Sequence, residues 1–208
     1  MKSALLKAVL ATSLATSFVC ADGAFVGFEA GYDKSSLKDK WNDNDPAYSY
    51  SNKYKDGQFG LGVKGGYDFG MFRAYGEYFY KFKAKDDIVD EDDDTVELSW
   101  KSHNFLVGGD FTPSLTDNFK FALGVYTGVS RINLKAQNPA TNESVKQNDT
   151  GWIIGGKIGG IYELNQNNEI EFGFKTDYTR YKKHTEVEGN ARFTATNTGF
   201  YLGYNFKF

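Results

Sequence analysis

Residues 57–83 read GQFGLGVKGGYDFGMFRAYGEYFYKFK, and apolar residues alternate with small or polar ones on both sides of Gly70. Successive residues of a β-strand face opposite sides, so each half carries one continuous apolar stripe. The stripes consist of Phe59, Leu61, Val63, Tyr67 and Phe69 before the glycine, and of Phe72, Ala74, Tyr78, Tyr80 and Phe82 after it. The pattern predicts two antiparallel strands joined by a tight turn.

The faces opposite such stripes carry charged residues along the whole chain, often beside glycines that would leave room for long side chains. These residues are Glu29, Lys64, Asp68, Arg73, Glu77, Lys81, Asp110, Lys120, Lys157, Glu163, Glu171, Lys175, Asp177 and Lys207. A soluble barrel could not bury so many charges without a heavy desolvation cost. A membrane barrel turns its apolar face to lipid and tolerates charge inside, so we expect these residues to form a lumen charge network.

Eight segments share this alternation, and the connections between them are alternately long and short. They span residues 24–33, 57–69, 71–83, 96–111, 119–134, 151–164, 169–181 and 193–208. Bacterial outer-membrane barrels have short periplasmic turns and longer extracellular loops. An open strand edge in lipid would leave backbone groups unpaired. The sequence therefore predicts an all-β, eight-stranded antiparallel up-and-down transmembrane β-barrel with both termini in the periplasm.

Aromatic residues cluster near both ends of the segments, which predicts two interfacial girdles. One set lies near the short turns and the other near the long loops. They are Phe69, Phe72, Phe111, Phe119, Tyr162, Phe172 and Phe206, and Tyr32, Phe59, Tyr80, Phe82, Trp100, Trp152 and Tyr178. In the fourth segment Leu98 and Trp100 are out of phase with Phe105 and Val107, so we predict a β-bulge between Lys101 and Asn104.

The N-terminus predicts an export signal over residues 1–21, with the barrel domain over 22–208. Lys2 and Lys7 precede a short run of apolar and small residues that ends at Ala21. Cleavage there removes two lysines and no acid, so the formal charge of −3 becomes −5, which gives no electrostatic footprint for nucleic acid. Cys20 leaves lipidation as an alternative, and the chain after it has no thiol.

The C-terminal residues FYLGYNFKF resemble the end of outer-membrane barrels, with Tyr204, Phe206 and Phe208 at the matching positions. Together with the opening GAFVGFEAGYD, the chain resembles small OmpA-like, OmpX-like and opacity-type barrels. The resemblance implies that Phe208 takes part in recognition by the barrel-assembly machinery. It implies a fold and a location in the outer membrane rather than an activity, because the family includes adhesins, membrane stabilisers, small pores and a few enzymes.

The chain offers little for catalysis. Some eight-stranded barrels deacylate lipid A with a His-x-Ser pair, but neither His103 nor His184 completes that pattern. We predict no catalytic, cofactor or metal site. An acidic segment predicts a solvated surface loop, which could also collect divalent cations that bridge lipopolysaccharide phosphates. It comprises Asp86, Asp87, Asp90, Glu91, Asp92, Asp93 and Asp94.

The sequence thus favours a non-enzymatic outer-membrane barrel whose surface loops serve envelope stability, adhesion or ligand contact. The expected loops are Lys34–Asp56, Ala84–Asp94, Lys135–Asp149 and Lys182–Asn190. Its expected partners are outer-membrane lipid and lipopolysaccharide, the assembly machinery, and a host or envelope ligand at the loops. A narrow porin-like channel is the alternative, and a lipid-modifying enzyme is a weaker one. Equal numbers of acids and bases in the narrow lumen favour a paired plug over a selective channel.

Overall fold

Eight antiparallel strands form one closed barrel in the order β1 to β8. The structure, a computed structural model, describes residues 23–43, 50–89, 95–137, 144–185 and 189–208, so the expected signal peptide lies outside the described residues. The strands are β1 (Ala24–Asp43), β2 (Tyr50–Asp68), β3 (Phe72–Val89), β4 (Thr95–Phe111), β5 (Phe119–Gln137), β6 (Ser144–Asn165), β7 (Asn168–Thr185) and β8 (Gly189–Lys207). Across the described ranges, no helix is long and apolar enough to cross a bilayer.

The short connections and both ends of the barrel domain lie at one end of the barrel, here called the turn end. Gly70 lies in the β2–β3 turn with a φ of 90°, a conformation that suits glycine. The β1–β8 seam closes the barrel and runs from Phe25 opposite Lys207 to Asp43 opposite Gly189. The other end, here called the loop end, contains the strand ends that the four longer connections join.

The polarity of the wall is inverted relative to a soluble barrel, which confirms the predicted fold class. Phe28, Val125 and Ile154 are 66%, 70% and 57% exposed on the outer surface, whereas Glu171 and Lys64 are 2% and 5% exposed. A soluble protein rarely exposes such a continuous apolar band. The arrangement is that of a wall that faces lipid outside and polar groups inside.

The strands are longer than predicted at the loop end. The β1–β2 pairing continues from Ala24 opposite Tyr67 to Trp41 opposite Tyr50, so most of the expected loop 34–56 is paired strand. The expected loops 135–149 and 182–190 likewise begin and end as strand, and the expected loop 84–94 begins as strand up to Val89. The polar composition of these segments suggested loops. Paired strands can also carry polar residues, however, where their outer face does not contact lipid.

The predicted bulge in β4 is wrong. β4 pairs with β5 without a shift from Glu97 to Phe111. The irregularity lies in the partner strand β3, where the register shifts between Lys81 and Ala84. Leu98 and Trp100 therefore keep the phase of the inward face, and they are apolar because the lumen itself becomes apolar at the loop end.

Candidate functional site in the barrel lumen

The fourteen charged residues expected in the lumen all lie on the inward face, and thirteen of them form ion pairs there. These thirteen are Glu29, Lys64, Asp68, Arg73, Lys81, Asp110, Lys120, Lys157, Glu163, Glu171, Lys175, Asp177 and Lys207. The fourteenth, Glu77, forms no ion pair within the part of the chain that the structure describes, and its Oε1 is buried without a hydrogen-bond partner. Alternation along each strand places them inside, and closure of the barrel brings them together.

At the turn end six side chains form a closed ring of alternating charge, here called the turn-end ring. Around the ring the order is Arg73, Asp68, Lys120, Glu163, Lys207 and Glu169. Successive nitrogen–oxygen distances are 2.7, 3.8, 2.8, 3.3, 2.8 and 2.8 Å, the last joining Glu169 back to Arg73. Each acid lies between two bases, so no charge in the ring lacks a counter-charge.

A second set of ion pairs, here called the central chain, crosses the middle of the lumen. Its order is Lys175, Glu29, Lys64, Glu171, Lys157 and Asp110, with distances of 2.7, 3.4, 2.7, 2.8 and 2.8 Å. A Cβ on Gly124 would lie 2.9 Å from Lys157 Cε and against the Asp110 carboxylate. The glycine thus leaves room for this pair.

Aromatic rings pack against the central chain. The Lys157 ammonium lies 4.5 Å from the centre of the Tyr75 ring, and the Lys175 ammonium lies 3.6 Å from that of Phe79. Such contacts stabilise a desolvated cation. The cavity between Glu77, Lys175 and Asp177 measures about 10 Å³, which is room for about one water molecule.

Towards the loop end, Lys81 lies between two carboxylates. Its ammonium is 3.0 Å from Asp33 and 3.1 Å from Asp177, and Asn197 donates a hydrogen bond of 2.6 Å to Asp177. Beside this group, Phe79 belongs to a buried apolar cluster completed by Leu106, Tyr126 and Ile153. Polar and apolar groups therefore alternate along the barrel axis.

Beyond Lys81 the lumen is filled by apolar side chains, here called the apolar cap. The cap consists of Leu37, Ala84, Trp100, Ile132, Leu134, Tyr181 and Ala195. The Trp100 indole N–H donates to the Ser35 hydroxyl at 3.1 Å, so its polar atom is satisfied. Trp100 is 2% exposed and does not belong to the outer girdle, where we had placed it.

Sequence reasoning missed the apolar cap and two acids of the network, Asp33 and Glu169. Both acids lie at the ends of predicted strands, where it is hardest to assign whether a side chain faces inward or outward. Strand parity could have found them, because Asp33 is in phase with Glu29 and Glu169 with Glu171. The cap was missed for another reason. Leu37 and Ala84 lie in segments predicted as loops, and the other five residues lie near the loop ends of predicted strands, where apolar side chains are expected to face lipid.

His103 is not brought together with the acids of the lumen. His103 lies on the outer face of β4, where its Nδ1 is 2.8 Å from the Tyr78 hydroxyl and its ring is 4.9 Å from that of Tyr80. The His184 side chain lies outside the described residues. In the part of the chain that the structure describes, no group of three His, Cys, Asp or Glu side chains could hold a metal ion.

Only part of the acidic segment is described. Asp86 lies near the end of β3, and its carboxylate accepts a hydrogen bond from the backbone N–H of Lys55 at 2.9 Å. The Asp87 side chain and residues Asp90, Glu91, Asp92, Asp93 and Asp94 lie outside the described residues. Asp86 thus ties β3 to β2 where their backbone pairing has ended at Gly60 opposite Lys81.

The three residues of the expected assembly signal lie along the last strand. Tyr204 and Phe206 face outward at the turn end, with 42% and 37% of their surface exposed. The backbone N–H of Phe208 donates to the carbonyl of Ala24 at 2.9 Å, so the last residue contacts the first strand.

Comparison with known proteins supports the fold. No protein-family model matches the chain, and no curated protein matches it. Among solved structures, it is similar to Neisserial surface protein A, with 15% identity, a TM-score of 0.53, and coverage of 89% of this chain and 97% of that one. It is also similar to outer membrane protein OprG from Pseudomonas aeruginosa, with 12% identity, a TM-score of 0.54, and coverage of 90% and 97%. The chain therefore has the fold of the small bacterial outer-membrane β-barrels.

Proposed function

We propose that the protein is a non-enzymatic, non-conducting outer-membrane barrel that presents the tips of its strands to partners outside the cell. The observation that carries this proposal is the filled lumen. The turn-end ring, the central chain and the apolar cap succeed one another along the barrel axis, so a solute would have to break buried ion pairs and displace packed apolar groups.

The inverted polarity of the wall supports a place in the outer membrane. The first and last described residues, Gly23 and Phe208, lie at the turn end, and short turns of such barrels face the periplasm. We therefore place both termini in the periplasm and the loop end outside. In this orientation the assembly machinery meets Phe208 from the periplasm, and lipopolysaccharide surrounds the loop end.

The rigid loop end supports a role in adhesion, envelope stability or ligand contact. The paired rungs of β1 and β2 reach Trp41 and Tyr50, and the cap packs inside the strands at this level. Only the segments 44–49, 90–94, 138–143 and 186–188 connect the strand tips. A partner at this end would thus meet paired strand ends with a packed interior, which limits the conformational entropy that binding costs.

Two features favour this proposal over an enzyme. His103 faces outward with a tyrosine as its partner, and no carboxylate orients it among the described residues. The buried carboxylates of the central chain are engaged with ammonium groups rather than arranged around an accessible cleft. Unchanged lipid A in cells that overproduce the protein is the expected result, and modified lipid A would contradict the proposal.

Single-channel recording tests the closed lumen directly. Purified protein in planar bilayers, compared with a porin of known conductance at the same protein amount, should give no steady conductance. A steady conductance would overturn the plug and favour the narrow channel. Replacing the four tip segments one at a time with Gly-Ser linkers of equal length should leave the barrel folded and abolish contact with the external partner at one or more tips.

A further inference from the structure

Lysine and arginine side chains are divided between two places in the described part of the chain. Seven of them form the lumen network described above. All the others whose side chains the structure describes lie on the outer surface at the loop end, and none of these lies on the outer surface at the turn end. The protein as a whole is slightly acidic, with a formal charge of −3, so this concentration of positive charge is not a consequence of composition.

The densest part of this surface spans β7, β8, β1 and β2. It is here called the basic face and consists of Lys38, Lys40, Lys53, Arg180 and Arg192. Lys38 pairs with Lys53 on one side and with Thr194 on the other, and Thr194 pairs with Arg180. Lys40 pairs directly with Arg192. Cations directly opposite each other on a sheet repel, so this arrangement is unfavourable unless anions bind.

The basic face has no internal counter-charge. None of its five side chains forms an ion pair with another described residue, whereas Lys83 and Lys85 on the far side of the barrel both bind Glu97, at 3.2 and 2.7 Å. The five cations line a groove of about 480 Å³ together with Tyr178 and neighbouring hydroxyl side chains. The groove therefore offers positive charge, hydroxyl groups and an aromatic edge, but no carboxylate.

The position of the basic face along the barrel axis indicates which layer of the membrane it contacts. The row Phe174, Phe200, Tyr32 and Phe59 crosses the same four strands as a band of paired outward aromatics. The row of Arg180, Lys38 and Lys53 lies six residues further along each strand, which is about 20 Å along the chain and less along the tilted barrel axis. Between the two rows, Tyr178 faces outward two residues before Arg180 and lines the same groove. Tyrosine rings of this kind lie at the membrane interface, so the cations project sideways at and just above the headgroup level.

We propose that the basic face binds the phosphate groups of a phosphorylated glycolipid in the outer leaflet. The inference rests on the outer-membrane placement proposed above, but not on the closed lumen. Ammonium and guanidinium groups bind phosphate through charge-assisted hydrogen bonds, which are strongest where water is partly excluded. The apolar band below contacts the acyl chains of the same lipid, so one molecule satisfies both surfaces. A soluble polyanion would satisfy only the charges.

The test uses the folded, full barrel in phosphatidylcholine nanodiscs that contain bisphosphorylated lipid A or its dephosphorylated form. Three variants are compared with the wild type: K38Q/K53Q/R180Q, the charge-preserving K38R/K53R/R180K, and S36Q/T194Q/T196Q, which alters the same face without changing its charge. Lipid A binding is measured with a fluorescent analogue, and folding is checked by heat-modifiable electrophoretic mobility.

The wild type should prefer the bisphosphorylated lipid, with an affinity that falls as salt rises. A cation near a membrane surface contributes about a factor of five in affinity, so the glutamine triple variant should lose roughly 100-fold. Both control variants should bind nearly as the wild type does. If the triple variant fails to fold, the single variants K38Q and R180Q should each lose about fivefold.

Equal binding by the glutamine and wild-type proteins, or no preference for the phosphorylated lipid, would overturn the proposal. Complete displacement of lipid A by inorganic phosphate or by a soluble sulfated glycan would also overturn it, since the site would then recognise a soluble anion. The conductance measurement is independent of these outcomes, so failure here and failure of the closed-lumen proposal are distinguishable.

Discussion

The carboxylate of Glu171 lies 2.8 Å from the ammonium of Lys157 in the middle of the lumen, and both side chains are 4% exposed or less. Glu171 also accepts a hydrogen bond from Lys64 at 2.7 Å. One acid thus neutralises two cations that are buried away from bulk solvent. The desolvation cost of such groups is large. The central chain is therefore stable because every charged group in it has a counter-charge, rather than because any single pair is strong.

The first prediction follows from this arrangement. Glu171→Gln leaves Lys157 with Asp110 alone and Lys64 with the longer contact to Glu29. Breaking a buried pair in this way costs about 3–5 kcal/mol, so the free energy of unfolding should fall by that amount. Urea titration of the protein in phosphatidylcholine vesicles, followed by tryptophan fluorescence, measures it.

The matched control is Glu97→Gln, which removes an acid that binds two lysines at the exposed loop end. Exposed pairs contribute little to stability, because solvent screens them and ordering two long side chains opposes them. The urea midpoint of this variant should stay close to that of the wild type. Equal destabilisation by the two substitutions would contradict the buried central chain.

A second prediction concerns the lipid-facing wall. Leu123 faces outward, pairs with Ile158 on β6 and is 51% exposed. Arginine on the lipid face costs about 2–4 kcal/mol near the bilayer midplane, so Leu123→Arg should lower the free energy of unfolding by about that amount. Leu115 is exposed in the β4–β5 turn, outside the strands, and Leu115→Arg should have little effect. A negligible change for Leu123→Arg would contradict an apolar wall in lipid.

A third prediction concerns the apolar cap. Trp100 is buried inside the barrel, whereas Trp152 is 61% exposed on the outer face. Removing a large buried aromatic costs about 3–5 kcal/mol, so Trp100→Ala should destabilise the protein more than Trp152→Ala does. In a W41F/W152F protein the remaining Trp100 fluorescence should resist quenching by aqueous iodide. Ready quenching would show that water reaches the loop end of the lumen.

These cases show how far the sequence determines the structure in advance. Phe59, Leu61 and Val63 alternate with small or charged residues such as Lys64, and this alternation shows which side chains share a face of the strand. Because the apolar face contacts lipid, the charged face must point into the barrel. The fold and the inward charges follow from this single rule. The order of ion pairs, such as Lys64 with Glu171 on β7, depends on barrel stagger, which no local pattern encodes.

The apolar cap shows where the reasoning failed. Polar composition in residues 34–56 suggested a loop, but Leu37 lies at an inward position of a long paired strand. Trp100 lies in a predicted strand, but it faces the lumen rather than the membrane interface. Outside the membrane a barrel needs an apolar interior and a polar exterior, which is the soluble pattern. The chain changes from one pattern to the other along the same strand. If a single polarity is assumed for the whole strand, the side chains at the loop end are assigned to the wrong face.

A fourth prediction concerns pH at the loop end. Hydrogen bonds from Lys85 and Lys83 hold the pKa of Glu97 below its ordinary value of 4.5. A carboxyl with a lowered pKa in the folded state stabilises the protein above the ordinary pKa, and this contribution disappears as the pH falls through the lowered value. A carbon-13 NMR titration of Glu97 should give a midpoint below 4.5 in the wild type and a higher one in Lys85→Gln. An unchanged midpoint in Lys85→Gln would exclude the hydrogen bond as the cause.

The last prediction concerns the C-terminal residue. The N–H of Phe208 donates to Ala24 across the β1–β8 seam, and its ring lies 5.1 Å from that of Phe206. One terminal hydrogen bond contributes only about 1 kcal/mol, so deleting Phe208 should barely change the stability of protein refolded in detergent. In cells, however, the resemblance to outer-membrane barrels implies that the assembly machinery needs this residue, and the amount of folded protein in the outer membrane should fall. Phe69→Ala removes another exposed turn-end aromatic and should assemble normally. Normal insertion of the shortened chain would show that Phe208 has no role beyond the seam.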